Sequence, residues 1–200
     1  SVFKKIKYFF ARLFYPYIFI WWSCWSKLYR FLYHRKYNDV PLSVDENYTS
    51  IDSDLKLLSW TKDGGRELWD ACGSPHWVQH CINEVKKGNS QPAGSLDCDD
   101  FSIWAAHAVD QKMYPRIFCF AWINKDGKLS GHAMCLLRRN DGKIFHIGNW
   151  GISDSYNNLR EACEDILFKT VSPGPIGWCL LTKDLSKLKS GRNLPDAKIN

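Results

Sequence analysis

The chain has 200 residues, of which 45% are hydrophobic and 24% are charged. This length suffices for one domain with its own core, and the composition excludes a disordered chain. The net charge of +6 is unevenly spread, because the residues before Asp39 include eight basic and no acidic side chains, whereas the remainder holds 19 basic and 21 acidic ones. Half of the 30 aromatic residues also precede Asp39. We therefore expect two regions with different surroundings.

Residues 1 to 40 predict a basic, aromatic helical arm. Its longest uncharged run has 14 residues and is interrupted by Pro16, whereas a spanning helix needs about 20. A signal peptide is disfavoured because Arg12 divides the apolar stretch and no Ala-x-Ala-like cleavage site follows. Trp and Tyr between basic ends suit a membrane–water interface. The alternative is an arm that packs on the domain or inserts into a protein partner.

The arm residues expected to contact a membrane surface or a protein partner share aromatic or basic character. Nucleic-acid binding is disfavoured, although stacking aromatics and cations are present, because the segment contains no known recognition module. The predicted contact residues are Trp21, Trp22, Trp25, Lys4, Lys5, Lys7 and Arg12.

The body of the chain alternates helical and extended patterns. Residues 41 to 60 are interpreted as a polar linker, residues 61 to 183 as the main domain and residues 184 to 200 as a polar tail. Ser74-Pro75 is a favourable helix start, and two Asp-Gly turns between apolar runs predict hairpins. The class is α+β, with an antiparallel meander. We predict helices over 65–71, 75–87, 98–112 and 159–169, and strands over 115–123, 129–138, 144–148 and 176–182.

Eight cysteines occur without a CxxC pair or a regular spacing. Most have apolar neighbours, which is typical of small buried thiols rather than of a disulfide framework. Cys98 differs, because Asp97 is a suitable N-cap that places this thiol in the first turn of a helix. The two acids that follow, Asp99 and Asp100, argue against deep burial of this neighbourhood.

Cys98, His132 and Asn149 have the order and spacing of a thiol-enzyme site. A helix N-terminus favours the thiolate, and a histidine within reach can act as its base. His132 lies in a predicted strand after Gly131, and Asn149 ends the next strand, where its side-chain oxygen could orient the imidazole. Adjacent strands lie about 4.8 Å apart, which permits this contact.

The run from Gly94 to Phe101 resembles the Gly-Asp-Cys-Asp-Asp-Phe/Tyr motif of bacterial transglutaminase-like cysteine peptidases. In that family the Cys opens a helix, the His lies in a strand as His-Ala, and a third residue, usually Asp, ends the next strand. Asn149-Trp150-Gly151 is similar to the Asn-x-Trp-Gly stretch of papain-like proteases. The resemblance spans residues 60 to 152 and implies a papain/transglutaminase-like fold whose catalytic helix packs on an antiparallel sheet. This sequence departs from the pattern where Asn149 replaces the acid and Ser95-Leu96 replaces the glycine before Asp97.

The resemblance implies catalytic roles for Cys98, His132 and Asn149, with Gln91 near the place of the papain-like oxyanion glutamine. The Cys98 amide is another candidate oxyanion donor. A zinc site at His76 and His80, which are four residues apart, is disfavoured because no second ligand pair is evident, and we expect no cofactor. The remaining candidates for the oxyanion hole or the cleft are Asp97, Asp99, Asp100, His146 and Trp150.

Two functions are consistent with these patterns. The first is a thiol hydrolase that cleaves an amide or peptide bond, including peptidoglycan-like cross-bridges, with acyl transfer to an amine as a variant. The arm would then hold the enzyme at a membrane or partner. The second is a structural or interaction protein of a larger assembly, such as a virus particle, in which the fold is accessory.

Overall fold

The computed structural model describes residues 2–44, 48–61, 71–94, 96–123, 129–149, 151–170 and 176–192. Five α-helices and six strands occur in these ranges, so the chain is α+β as predicted. The predicted short helix over 65–71 falls almost wholly outside them. The helices are α1 (Val2–Tyr29), α2 (Tyr48–Lys56), α3 (Pro75–Lys86), α4 (Cys98–Ala108) and α5 (Leu159–Thr170). A π-helical turn (Arg30–His34) and two 3-10 turns (Arg35–Tyr37 and Gln111–Met113) complete the helical elements.

The strands form one antiparallel sheet in the order β4-β3-β2-β1-β5-β6. The first three strands follow each other directly, as expected for a meander, and β5 then pairs with β1 on its other side. The strands are β1 (Arg116–Ile123), β2 (Leu129–Arg138), β3 (Ile144–Gly148), β4 (Gly151–Ile152), β5 (Gly177–Leu181) and β6 (Lys187–Gly191).

Side chains on the two faces of the sheet enter different cores, because successive residues of a strand point to opposite faces. In β2, Ala133 and Cys135 join the larger core together with α3 and α4. Met134 and Leu136 join a smaller core together with α5. We call these the α4 face and the α5 face of the sheet.

Helix α1 packs on the α4 face. Tyr15 and Phe19 belong to the larger core, and the Ser23 hydroxyl donates to the Leu185 carbonyl at 2.6 Å. The Cys72 amide donates to Ser26 Oγ at 2.9 Å. These contacts make the inner face of the arm part of the body. None of the helices in the described ranges is long and apolar enough to cross a membrane.

Two segments interpreted as polar and irregular contain regular structure. The 41–60 segment contains α2, whose Ile51 and Leu55, four residues apart, are buried in the larger core. The tail from residue 184 contains β6, an edge strand with exposed lysines. Polar composition hides such elements, because an edge strand keeps charges for solubility and a short helix needs only one apolar stripe.

The helix predicted over 98–112 is shorter than expected. It ends at Ala108, and Val109 is already extended. The Asp110 carboxylate then accepts the Lys112 amide at 2.9 Å and begins a separate 3-10 turn. A local side-chain cap has therefore replaced the continued helical hydrogen bonds.

Candidate functional site

A cavity of about 680 Å³ lies between α1, the beginning of α4 and the β1–β2 hairpin. Its polar residues, Cys98, Asp99, Ser130 and His132, come from α4 and β2. Aromatic and aliphatic side chains of α1 supply most of the rest. The cavity is lined by Phe14, Tyr17, Ile18, Phe19, Trp21, Trp22, Trp25, Cys98, Asp99, Cys119, Phe120, Ala121, Leu129, Ser130, Gly131, His132 and Ala133.

Cys98 is the first residue of α4 and is partly exposed. The Asp97 carboxylate accepts the Asp99 amide at 3.2 Å, and Asp100 Oδ2 accepts the Asp97 amide at 3.2 Å, which completes a capping box. Reciprocal caps of this kind satisfy amides that the first turn leaves unpaired. The predicted position of Cys98 in the first helical turn is confirmed.

The two acids after Cys98 are buried, with 4% of Asp99 and 3% of Asp100 exposed. The sequence-based argument that they keep this region exposed is wrong. For Asp100, backbone amides compensate for the loss of water, since Oδ1 accepts the Gly73 amide at 2.5 Å while Oδ2 caps the helix. The Asp100 side chain therefore ties the start of α4 to the segment that precedes α3.

Two opposing electrostatic effects act on the Cys98 thiol. The N-terminus of α4 stabilises negative charge, whereas the neighbouring carboxylates oppose it. Cys98 Sγ and one carboxylate oxygen each from Asp97 and Asp99 lie within 4.8 Å of one another. In the part of the chain described, these three residues form the group best placed to hold a cation. A cation there would compete with the capping role of Asp97 and would occupy the thiol.

His132 also lines the cavity, but its ring belongs to the α5 face. It lies opposite Phe120 in the β1–β2 register, and the two rings meet edge to face with centroids 5.7 Å apart. Burial, followed by the positive charge of His146, lowers the pKa of His132 to about 4. The imidazole is therefore neutral at pH 7 and is a weaker base than an ordinary histidine side chain. Cys98 approaches the same cavity from the α4 layer.

Asn149 follows β3, one residue after Gly148. It lies in the turn between β3 and β4, which is closed by the pair Gly148–Gly151, and the pairing of β2 with β3 already ends at Cys135 with Ile147. In the described ranges, the buried Oδ1 of Asn149 accepts no hydrogen bond. The expected bond from His132 to this oxygen is thus not formed, because Asn149 lies in a turn beyond the β2–β3 pairing, whereas the ring of His132 packs against Phe120 on the α5 face.

The remaining candidates from the cleft are dispersed. Gln91 does not line the cavity; its side chain accepts the Ser59 amide at 2.7 Å and donates to the Ser59 carbonyl at 3.1 Å. His146 stacks on Tyr156 on the α5 face, with centroids 5.9 Å apart. Trp150 lies outside the described residues. The oxyanion role considered for Gln91 is incompatible with this pairing.

The arm packs on the domain, which was one of the alternatives for it, and it also lines the cavity, which the sequence did not predict. Trp21, Trp22 and Trp25 line the cavity that also contains Cys98. Arg12 is partly buried, and the side chains of Lys4, Lys5 and Lys7 lie outside the described part. The sequence feature that could have predicted this role is that α1 is apolar around most of its circumference, which indicates burial on more than one side.

The cysteines other than Cys98 fall into two groups. Cys24, on α1, is exposed. The others are buried, and burial raises the pKa of Cys81 and Cys179 to about 12 and raises those of Cys135 and Cys163 further. Burial also raises the pKa of Cys72, whose sulfur accepts a hydrogen bond from Arg30 at 3.0 Å. Cys98 is therefore the partly exposed thiol of the described body.

The histidines considered for zinc have structural contacts. A ring nitrogen of His76 lies 2.8 Å from the Val40 carbonyl oxygen, and His80 stacks on Tyr37 with centroids 5.0 Å apart. Both contacts connect the segment that follows α1, at Tyr37 and Val40, to helix α3.

Comparisons of the chain with models of protein families, with curated proteins and with solved structures found no match.

Proposed function

We propose that the protein is a thiol hydrolase in which Cys98 attacks the carbonyl carbon of an amide or peptide bond. The observation that carries the proposal is the place of Cys98: a partly exposed thiol on the first residue of α4, at the wall of a large cavity. The substrate class includes peptides and peptidoglycan-like amides, as the family resemblance implies.

In the proposed reaction Cys98 Sγ forms a bond to the carbonyl carbon and the C–N bond breaks. The thiol proton is transferred to the leaving amine, which departs neutral. Water then attacks the thioester, releasing a carboxylic acid and restoring the thiol; an amine in place of water gives transamidation. His132 is the proposed proton carrier, because the family resemblance gives it that role and the residue lines the same cavity. Asn149 remains the proposed third residue of the site, and only its position in the order Cys, His, Asn along the chain supports this role.

The proposed fold type is papain/transglutaminase-like. Three features support it: a cysteine at the start of a helix, an antiparallel sheet on which that helix packs, and the chain order Cys, His, Asn. The placement of His132 on the α5 face is the feature that departs from a direct Cys–His pair.

Selective alkylation tests the proposal. Iodoacetamide at pH 6 should modify Cys98 faster than Cys24, which is the exposed reference thiol on α1. Peptide mapping by mass spectrometry gives both rates in one sample. Cys98→Ser should remove the fast phase and Cys24→Ser should leave it intact. Equal rates at the two positions would contradict an activated thiol.

A second candidate function is attachment to a larger assembly through α1. The outer side of this helix carries a row of large exposed hydrophobic residues, as expected for a structural or interaction protein, including a virus-particle component. A protein of this kind would retain its attachment in Cys98→Ser and would show no acyl chemistry, so the alkylation and attachment assays separate the two functions.

A further inference from the structure

Helix α1 has a second apolar face, directed away from the body. Residues here recur at intervals of three and four, so they form one stripe along the helix. The stripe carries no charged side chain between Arg12 and Lys27, a stretch of about 20 Å at the helical rise per residue. We call it the outer face; its members are Ile6, Phe9, Phe10, Leu13, Phe14, Tyr17, Ile20, Trp21 and Leu28, all exposed.

The charge of the segment that carries the outer face indicates the surface that it fits. Residues before Asp39 include eight cations and no anion. A helix with exposed aromatics and flanking Lys and Arg binds at the headgroup boundary of anionic membranes, where Trp and Tyr are favoured. A protein groove would need a complementary row of acids as well as an apolar channel, whereas an anionic bilayer supplies both.

The outer face and the cavity share residues. Phe14, Tyr17 and Trp21 are 51%, 67% and 55% exposed and also line the cavity. The mouth of the cavity therefore opens beside the outer face, on the side where a bilayer would lie. An apolar group leaving the bilayer along α1 would reach Cys98 without crossing bulk water.

The lining of the cavity favours a hydrocarbon chain over a polypeptide. Its polar lining residues are Cys98, Asp99, Ser130 and His132, and the other lining residues are aromatic, aliphatic or small. A peptide backbone in that apolar part would lose hydrogen bonds to water without replacing them, which is unfavourable for every buried amide. An acyl chain has no such groups, and its single carbonyl would lie beside Cys98.

We propose that α1 lies at the surface of an anionic membrane and that the cavity takes the acyl chain of a membrane-borne amide whose carbonyl meets Cys98. The inference rests on the proposed hydrolase function and narrows its substrate. Cys98 Sγ bonds to the acyl carbon, the C–N bond breaks, and the thiol proton goes to the leaving amine. Water then releases the fatty acid and returns the proton to sulfur.

Acyl binding is tested without catalysis. Gly131 is exposed and lines the cavity, and a Cβ there would meet only the Phe120 carbonyl oxygen at 3.6 Å. Gly131→Leu therefore adds a side chain to the cavity without a steric clash in the backbone. The probe is cis-parinaroyl ethylamide, an uncharged fluorescent acyl amide, and the full chain is titrated into it.

Saturable binding is expected for the wild-type protein and for Cys98→Ser, with at least tenfold weaker binding for Gly131→Leu. Lys187→Leu, which adds leucine on the exposed edge strand β6, should bind as the wild type does. If the Cys98→Ser variant binds the probe and the wild-type protein does not hydrolyse it, the acyl-binding site is supported and the proposed hydrolase function is contradicted. No saturable binding, or displacement of the probe by acetyl-trileucine amide but not by palmitoyl ethylamide, would overturn the acyl assignment.

Flotation with vesicles tests the membrane assignment. The wild-type protein should float with vesicles of 70% phosphatidylcholine and 30% phosphatidylglycerol and much less with phosphatidylcholine alone. Phe9→Ser/Phe10→Ser should lower flotation at least tenfold, whereas Leu188→Ser, an exposed leucine outside α1, should leave it unchanged. Flotation that is absent, or that is unaffected by the double substitution, would overturn the membrane assignment.

Discussion

Phe9, which is exposed, and Phe19, which is buried, both belong to α1 and together test whether this helix is part of the core. Phe19 is 6% exposed in the larger core, whereas Phe9 is 63% exposed on the outer face. A buried phenylalanine removes on the order of 150 Å² from water, which at about 25 cal/mol per Å² is worth about 4 kcal/mol. Phe19→Ala should therefore lower the free energy of unfolding by about 3–5 kcal/mol, and Phe9→Ala by about 1 kcal/mol or less.

Urea unfolding followed by tryptophan fluorescence and by far-ultraviolet circular dichroism measures both changes. Coincident transitions from the two probes are required before the free energies are compared. The two substitutions are matched in residue type and in helix, so differences in helix propensity cancel. A change below about 1 kcal/mol for Phe19→Ala would refute the packing of α1 on the sheet.

Three further changes test the cap, the α1 contact and the buried imidazole. Asp97→Ala should lower the free energy of unfolding by about 1–2 kcal/mol, while Asp97→Asn keeps an acceptor and most of the stability; equal losses would contradict the cap. Ser23→Ala removes the bond to Leu185 and should cost about 1 kcal/mol, and no loss in urea unfolding would contradict that contact. The pKa of His132 is about 4, below its usual value of about 6.5, so between these pH values the unfolded chain binds a proton that the native state does not. Stability should fall as pH decreases through this window, by up to about 1.4 kcal/mol per pH unit from this group; His132→Gln should lose that component, and an unchanged slope of unfolding free energy against pH would contradict it.

Local signals predicted most of the central elements. Ser74-Pro75 specified the start of α3 because the cap and the fixed proline φ act within one turn, and the Ser74 hydroxyl accepts the His76 amide at 3.3 Å. Apolar runs ending near Asp141-Gly142 specified the β2–β3 hairpin, where Gly142 has a φ of +81°. Such features depend on neighbours in the sequence and need no knowledge of the tertiary structure.

The relation of His132 to Asn149 could not be predicted in this way. It depends on where the pairing of β2 with β3 ends and on which face of the sheet the ring of His132 lies. The sequence indicated that both residues lie near the same corner, but it did not show that the β2–β3 pairing ends before Asn149, which lies in the following turn.

The burial of Asp100 and the role of α1 were hidden for a related reason. Each depends on partners distant in the chain: the Gly73 amide for Asp100, and the Leu185 carbonyl and Cys72 amide for the serines of α1. Composition separated the basic segment from the rest of the chain, yet the structure joins its inner face to the larger core and leaves its outer face exposed.

Trapping of an acyl-enzyme tests the central claim most directly. The full chain is mixed with p-nitrophenyl octanoate, quenched in acid, and digested for mass spectrometry. The account predicts one octanoyl group on the peptide that contains Cys98, released by hydroxylamine and absent in Cys98→Ser but present in Cys24→Ser. Octanoylation confined to Cys24, or no adduct on Cys98 at any time point, would contradict the assignment of Cys98 as the nucleophile.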